Sequence, residues 1–174
     1  MRHMWKSVFL LLVLITLGCG YKVVSWSDEN WQTMAVRPIE GDPSGQVMRL
    51  RLRDALIERC LAGSGLRPTD HSGDLILTGK LLSYSERVIA TDTDGRTQRL
   101  QFNLRASFKL KNKDGETIWE LKNYQYSNQY SITTSQASFR DESVLEQDDA
   151  MKNIADLVIT NITLAIHEWE RIHE

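Results

Sequence analysis

Few residues of this chain have the types and spacing for bond-making chemistry. Outside the first twenty positions there are three histidines, His71, His167 and His173. The run from His167-Glu168 to His173 superficially suggests a zinc helix. The zinc-binding HExxH pattern sets its histidines four apart on one helix face, whereas these are six apart, ~600° round a helix. They read as two solvated histidines near a helix end. Asp92 and Asp94 flank a hairpin tip at Gly95, where aspartate is good turn chemistry and not a catalytic carboxylate pair. There is no G-x-S-x-G elbow, no P-loop and no G-x-G-x-x-G. Nothing pairs a nucleophile with a base, so the expectation is a non-enzyme with no catalytic residue, no metal and no cofactor. What remains is a cysteine, Cys19, directly behind an apolar run, and the cations Arg99, Arg105, Lys109 and Lys111, which share a 2-residue period.

The apolar run explains the cysteine. Arg2 and Lys6 form a positive start, and Val8 to Leu17 is an uncharged stretch of ten residues. At ~1.5 Å per residue, ten residues cross only about half of a ~30 Å hydrocarbon core. That suits a signal-peptide h-region better than a spanning helix. Gly18-Cys19 then closes the run in the manner of a lipobox, although Thr16-Leu17 departs from the favoured residues before it. The implied processing is cleavage before Cys19 and acylation of Cys19. Several acyl chains anchor far better than the single chain that binds only marginally. Residues 1–18 are therefore read as a lipoprotein signal peptide, 19–31 as a lipidated tether and 32–174 as one domain. Gly20 follows Cys19 where aspartate commonly retains bacterial lipoproteins at the inner membrane. By that likeness the destination is the periplasmic face of the outer membrane. Cys60 is the only other cysteine and reads as a small buried hydrophobe.

Composition agrees with one globular unit. The 174 residues carry 21 bases and 23 acids, a net charge of −2. Removing Arg2 and Lys6 with the signal leaves 19 bases against 23 acids. A general nucleic-acid binder needs a basic field to neutralise phosphates. Hydrophobic residues at 41% allow a sizeable core and argue against wholesale disorder. No later stretch approaches the ~18 apolar residues of a transmembrane helix.

The elements follow from periodicity. Gln32–Ile39 alternates around Met34 and Val36 into a first strand, placed near an edge because Pro38 cannot donate to a ladder. Residues 41–45 form a turn with Ser44 as candidate N-cap. Met48, Leu52, Ala55, Leu56 and Cys60 recur at helical spacing, predicting a helix over about 45–61. Its arginines, Arg49, Arg51, Arg53 and Arg59, read as a solvated basic face. Asp74–Gly79 opens a second strand that runs through Val88 to the Thr93-Asp94-Gly95 turn. Leu100, Phe102, Leu104, Ala106, Phe108 and Leu110 alternate with polar residues, which makes a long half-buried third strand. Asp114-Gly115 is a hairpin turn, followed by a fourth strand from Ile118 to about Tyr126, with Tyr130 as its farthest reach. Residues 127–142 read as a loop, and Ser143–Glu146 as a capping box. Behind it Met151, Ile154, Ala155, Val158, Ile162 and Ile166 begin an amphipathic second helix. The predicted fold is α+β: a two-layer sandwich in the order β-α-β-β-β-α, with a four-stranded, mostly antiparallel sheet on two helices.

This layout resembles the LptE family of lipopolysaccharide-assembly lipoproteins. The resemblance rests on Cys19-Gly20-Tyr21, on TMAVRPIE (33–40), on LRDALIERCLAGSGLRP (52–68) and on GDLILTGKLLSYSE (73–86). It continues through LQFNLRASFKLKNKDGETIWE (100–120) and the closing helix. The Asp-Leu-x-Leu-x-Gly strand after Cys-Gly-Tyr is its most informative part. What the resemblance implies is a plug inside the outer-membrane β-barrel LptD, the two together inserting lipopolysaccharide into the outer leaflet. No catalytic residue carries over. A ligand with phosphates on a lipid calls for cations, and the candidate lipopolysaccharide contacts are Arg99, Arg105, Lys109 and Lys111, extended by Arg87 and by Arg96 at the hairpin tip. Another outer-membrane lipoprotein module of this shape fits the same features, such as a peptidoglycan-synthase activator or a secretion-channel accessory.

Overall fold

The computed structural model describes residues 31–91, 93, 97–131 and 136–173, with side chains except at 97–98 and 136–142. In chain order the elements are β1 (Thr33–Val36), β2 (Glu40–Gly41), a 3-10 turn (Pro43–Gly45) and α1 (Gln46–Gly63). Then follow β3 (Arg67–Thr69), β4 (Leu75–Thr91), β5 (Thr97–Asn112), β6 (Thr117–Ser131) and α2 (Gln136–His173). The sheet runs β3-β1-β4-β5-β6, with β2 also against β4. β1 is parallel to both neighbours and β2 is parallel to β4, while β4, β5 and β6 form an antiparallel meander.

The mixed α+β class is as expected; among the described residues there are two helices, as predicted, but the sheet has six strands, not four. β2 and β3 are two and three residues long, too short to leave a periodic signature. They also correct the placement of β1, which lies inside the sheet between β3 and β4. Pro38 is tolerated because β1 has ended at Val36, and Arg37 N–H still donates to Leu77 O at 3.0 Å. The predicted loop 127–142 is corrected too: β6 runs on to Ser131 and α2 begins at Gln136. Ser143 is thus inside α2, where its hydroxyl accepts from Gln147 Nε2 at 3.2 Å and caps nothing. Ser44 does not cap α1, whose N-cap is Gly45 with no side-chain hydrogen bond; the capping side chain here is Asp42, at the start of the 3-10 turn. Its Oδ1 accepts the Ser44 N–H at 2.9 Å and the Ser44 hydroxyl at 2.7 Å.

Packing follows the period of each element. Leu100, Phe102, Leu104, Ala106, Phe108 and Leu110 are all at most 5% exposed and form the centre of the core. Met48, Leu52, Leu56 and Cys60 of α1 and Met151, Ile154, Val158 and Ile162 of α2 close over them. The arginines of α1 are not simply solvated. Arg51 pairs with Asp148 at 2.7 Å and Arg59 with Asp156, joining α1 to α2, and Arg53 pairs with Asp70 at 3.2 Å.

The motif Gly73–Gly79 has a structural account. Asp74 Oδ2 accepts the Thr33 hydroxyl at 2.7 Å and the backbone N–H groups of Gln32 and Thr33 at 3.0 Å. Thr33 Oγ1 in turn accepts Asp74 N–H at 3.0 Å, so the starts of β1 and β4 are clamped together. The Thr33 hydroxyl and those amides hold the Asp74 carboxyl below the usual carboxylate range. Leu75 and Leu77 are fully buried. A Cβ at Gly79 would stand 2.6 Å from Ile39 Cδ1 and 3.1 Å from the Phe108 ring, so the missing side chain is what lets Phe108 seat.

Candidate functional site

Both helices cover the face that holds Phe102, Leu104 and Phe108, and among the described residues no helix lies on the opposite face of the sheet. The alternation of β5 puts Arg99, Arg105, Lys109 and Lys111 there together. Pairing register adds Arg87, opposite Gln101, and Lys80, opposite Ser107. Lys80 was not among the sequence candidates. The alternation of Leu75, Leu77, Gly79 and Leu81 toward the core was its available signal, since Lys80 falls between them. Arg96, like Asp92 and Asp94, lies outside the described residues, as does Cys19.

The cations form a ladder and not a pocket. Arg99 and Lys111 are twelve residues apart on one strand, a span of about 40 Å at ~3.4 Å per residue. Arg105 Nε donates to Ser83 Oγ at 2.9 Å. Arg87 donates to Gln101 Oε1 from Nε and Nη2 at 2.9 and 2.6 Å, and Gln101 Nε2 donates to Ser127 Oγ at 3.2 Å. These partners are neutral, so they orient both guanidinium groups without cancelling their charge. Lys109 differs: its Nζ is 3.0 Å from Glu120, which Lys122 also approaches at 3.2 Å. The hydrogen bond from Lys109 and then that from Lys122 hold the Glu120 carboxyl below its ordinary range. Lys109 is therefore the locally neutralised member of the row. Between the cations stand Asn103, Gln125, Ser127 and Gln129, a set of neutral donors and acceptors. The arrangement offers separated positive charges on a polar sheet, suited to an extended anionic surface with hydroxyls between its charges.

The histidines do not converge. His173 stacks on Trp169 with ring centroids 3.8 Å apart, and its Nδ1 is 2.8 Å from Trp169 O. His167 lies 3.9 Å from Glu170. Among the described residues no group of three His, Cys, Asp or Glu side chains stands together as a metal site. Cys60 is buried and burial raises its thiol pKa, the environment of a packing residue. No helix among the described residues is long and apolar enough to cross a membrane.

Fold and site together define a two-layer α+β domain with one helix-covered face and one open, cation-bearing face. Residues 31–162 match the lipopolysaccharide-assembly LptE family, and the chain belongs to that family. No curated protein matches it. Among solved structures it is similar to protein XCC0632 from Xanthomonas campestris, at 12% identity and a TM-score of 0.55, covering 85% of this chain and 92% of that one. It is also similar to an uncharacterized lipoprotein B from Nitrosomonas europaea, at 11% identity and a TM-score of 0.54, covering 76% and 83%. At such identities these likenesses speak for the fold.

Proposed function

We propose that the chain is an outer-membrane lipoprotein, anchored through acyl chains on Cys19, that serves lipopolysaccharide assembly as the plug and assembly partner of the LptD β-barrel. It carries no catalytic residue in this reading and uses no cofactor beyond the covalent lipid. Family membership supports the partner. The open sheet face supports the ligand: Lys80, Arg87, Arg99, Arg105 and Lys111 share it in a chain whose net charge is −2. Lipopolysaccharide presents phosphates and sugar hydroxyls together. Cations interleaved with glutamine, asparagine and serine can meet both kinds of group. In this reading Arg99 and Arg105 are the phosphate contacts, with Lys109 and Lys111 along the same row of β5, Arg87 beside it on β4, and Arg96 kept as a candidate from the sequence. Lys109 contributes least because Glu120 already holds it.

Two measurements test the reading. A tagged full-length chain, extracted from membranes in detergent, should co-purify with a large β-barrel; absence of any barrel would refute the partner. The soluble domain should bind lipopolysaccharide, and binding should weaken with added salt. Arg99→Glu with Arg105→Glu should weaken it at least tenfold while leaving thermal unfolding nearly unchanged. Undiminished binding by the folded double variant would remove the two arginines from the site.

A further inference from the structure

The domain has an aromatic end. The described residues include three tryptophans, Trp31, Trp119 and Trp169, and all three stand where β1 begins. Trp31 lies two residues before Thr33, the first residue of β1. Trp169 is in the last two turns of α2 and meets Trp31 with ring centroids 4.9 Å apart. Trp119 is the third residue of β6 and sits opposite Leu110, close to the β5–β6 turn. All three rings are half-buried, Trp31 and Trp119 against the core. Among the described residues none of the three indole N–H groups has a hydrogen-bond partner, and the one buried side-chain polar atom left unpaired is Arg49 Nε. The indole N–H groups therefore open outward. Beyond them Ile172 is 68% exposed.

This is also the end at which the chain arrives from Cys19. Trp31 follows Cys19 by twelve positions, a reach of at most about 40 Å. A tether this short gives lipid an effective concentration in the millimolar range at this end, so a weak contact suffices. The plug reading leaves the same end accessible. α2 has 38 residues, ~57 Å at ~1.5 Å each, against ~40–45 Å for a bilayer with its headgroups. A domain of that length standing in a barrel extends past the membrane band, and its tethered end is the one at the rim beside the anchored leaflet. The chemistry of the end selects the lipid. Tryptophan joins an apolar ring to one wet N–H and is enriched at headgroup level. Charge here cancels, with Arg67, Lys113 and Arg171 against Asp114, Glu116 and Glu168. A strongly anionic surface draws basic segments, whereas a zwitterionic layer offers ammonium and phosphate groups together.

We propose that the Trp31–Trp169 end of the domain docks on the zwitterionic phospholipid headgroup layer of the leaflet that holds its acyl chains. The proposal rests on the acyl anchor at Cys19 and is independent of lipopolysaccharide contact through the sheet. The test uses the acylated chain with Trp26→Phe, so that Trp31, Trp119 and Trp169 are the reporters once Trp5 has left with the signal peptide. It is placed in vesicles of phosphatidylethanolamine and phosphatidylcholine, the latter brominated either next to the headgroup or at the chain ends. Flotation with the vesicles shows that the chain is anchored. Bromine next to the headgroup should lower tryptophan emission by at least one third, and bromine at the chain ends by less than half as much. Ile172→Glu should reduce this quenching at least threefold. Leu145→Glu, at a 63% exposed position 27 residues earlier on the same helix, should leave it unchanged. Both positions are exposed, so thermal unfolding should not move. A floating chain whose emission bromine leaves untouched would overturn this proposal and spare the anchor; a chain that does not float would overturn both. Quenching that Ile172→Glu leaves intact, or that requires phosphatidylglycerol in the vesicles, would also overturn it.

Discussion

Gly79→Ala puts the packing of the sheet to a direct test. The new methyl would lie 2.6 Å from Ile39 Cδ1 and 3.1 and 3.2 Å from two ring atoms of Phe108. Phe108 is 1% exposed and sits at the centre of the core, so its ring has little room to retreat. Ile39 Cδ1 is the end of a flexible side chain and can partly turn away. Overpacking of this kind typically costs ~1–3 kcal/mol, out of a total of about 5–15 kcal/mol for a domain. Ile39→Val removes the nearest atom and by itself should cost ~0.5–1.5 kcal/mol. If the clash is the cause, the two changes will not add: the double variant should be ~0.5–1 kcal/mol or more better than the sum, as contacting residues commonly are. Urea unfolding of the soluble domain, followed by circular dichroism for the wild type, both single variants and the double variant, gives the cycle. A loss below about 0.5 kcal/mol for Gly79→Ala, or strict additivity with Ile39→Val, would refute the reasoning, since distant independent sites add within that margin.

Phe108→Ala should cost ~3–5 kcal/mol in the same assay. Ser107→Ala on the open face should cost ~0.5–1.5 kcal/mol, because Ser107 Oγ accepts the Asn123 N–H at 3.1 Å where β6 bulges; equal losses at the two sites would mean the strand register is wrong. Asp74→Asn should flatten the acid side of the stability profile. The folded carboxyl is held low by the Thr33 hydroxyl, so its contribution is present above the ordinary carboxylate pKa of ~3.9 and fades as pH falls through the lower folded value. Urea midpoints between about pH 2 and 6 check it, and an unchanged profile in the variant would show that the clamp does not act. Cys19→Ser should abolish acyl labelling and leave unprocessed or mislocalised precursor; normal acylation of the variant would end the lipoprotein reading.

What was legible in the sequence was whatever one strand or one helix states about itself. β5 shows six strict alternations, and a period of two leaves a half-buried strand no other face to present. The Asp114-Gly115 turn was equally plain, because the φ of +87° at Gly115 suits glycine. The core stripes of α1 and α2 repeat at helical spacing over many turns. Those local signals yielded the α+β class, the two helices and the cations of β5 that share the open face.

The rest needed partners from elsewhere in the chain. β2 and β3 are strands only because β4 and β1 offer them backbone groups to bond, and two or three residues carry no period of their own. The start of α2 at Gln136 overrode the capping signal at Ser143, since tertiary packing of a long apolar stripe outweighs a local cap worth ~1 kcal/mol. Asp74 reads in the sequence as an ordinary polar residue before a strand; its role depends on Thr33, 41 positions away. Lys80 joins the open face because β4 and β5 pair in a register that sets it opposite Ser107. The outward apolar residues of α1 were hidden for a related reason. A helix with apolar residues on two sides does not say which side the core will take, and only the sheet beneath Leu52 and Leu56 leaves Val47, Leu50 and Leu61 facing outward.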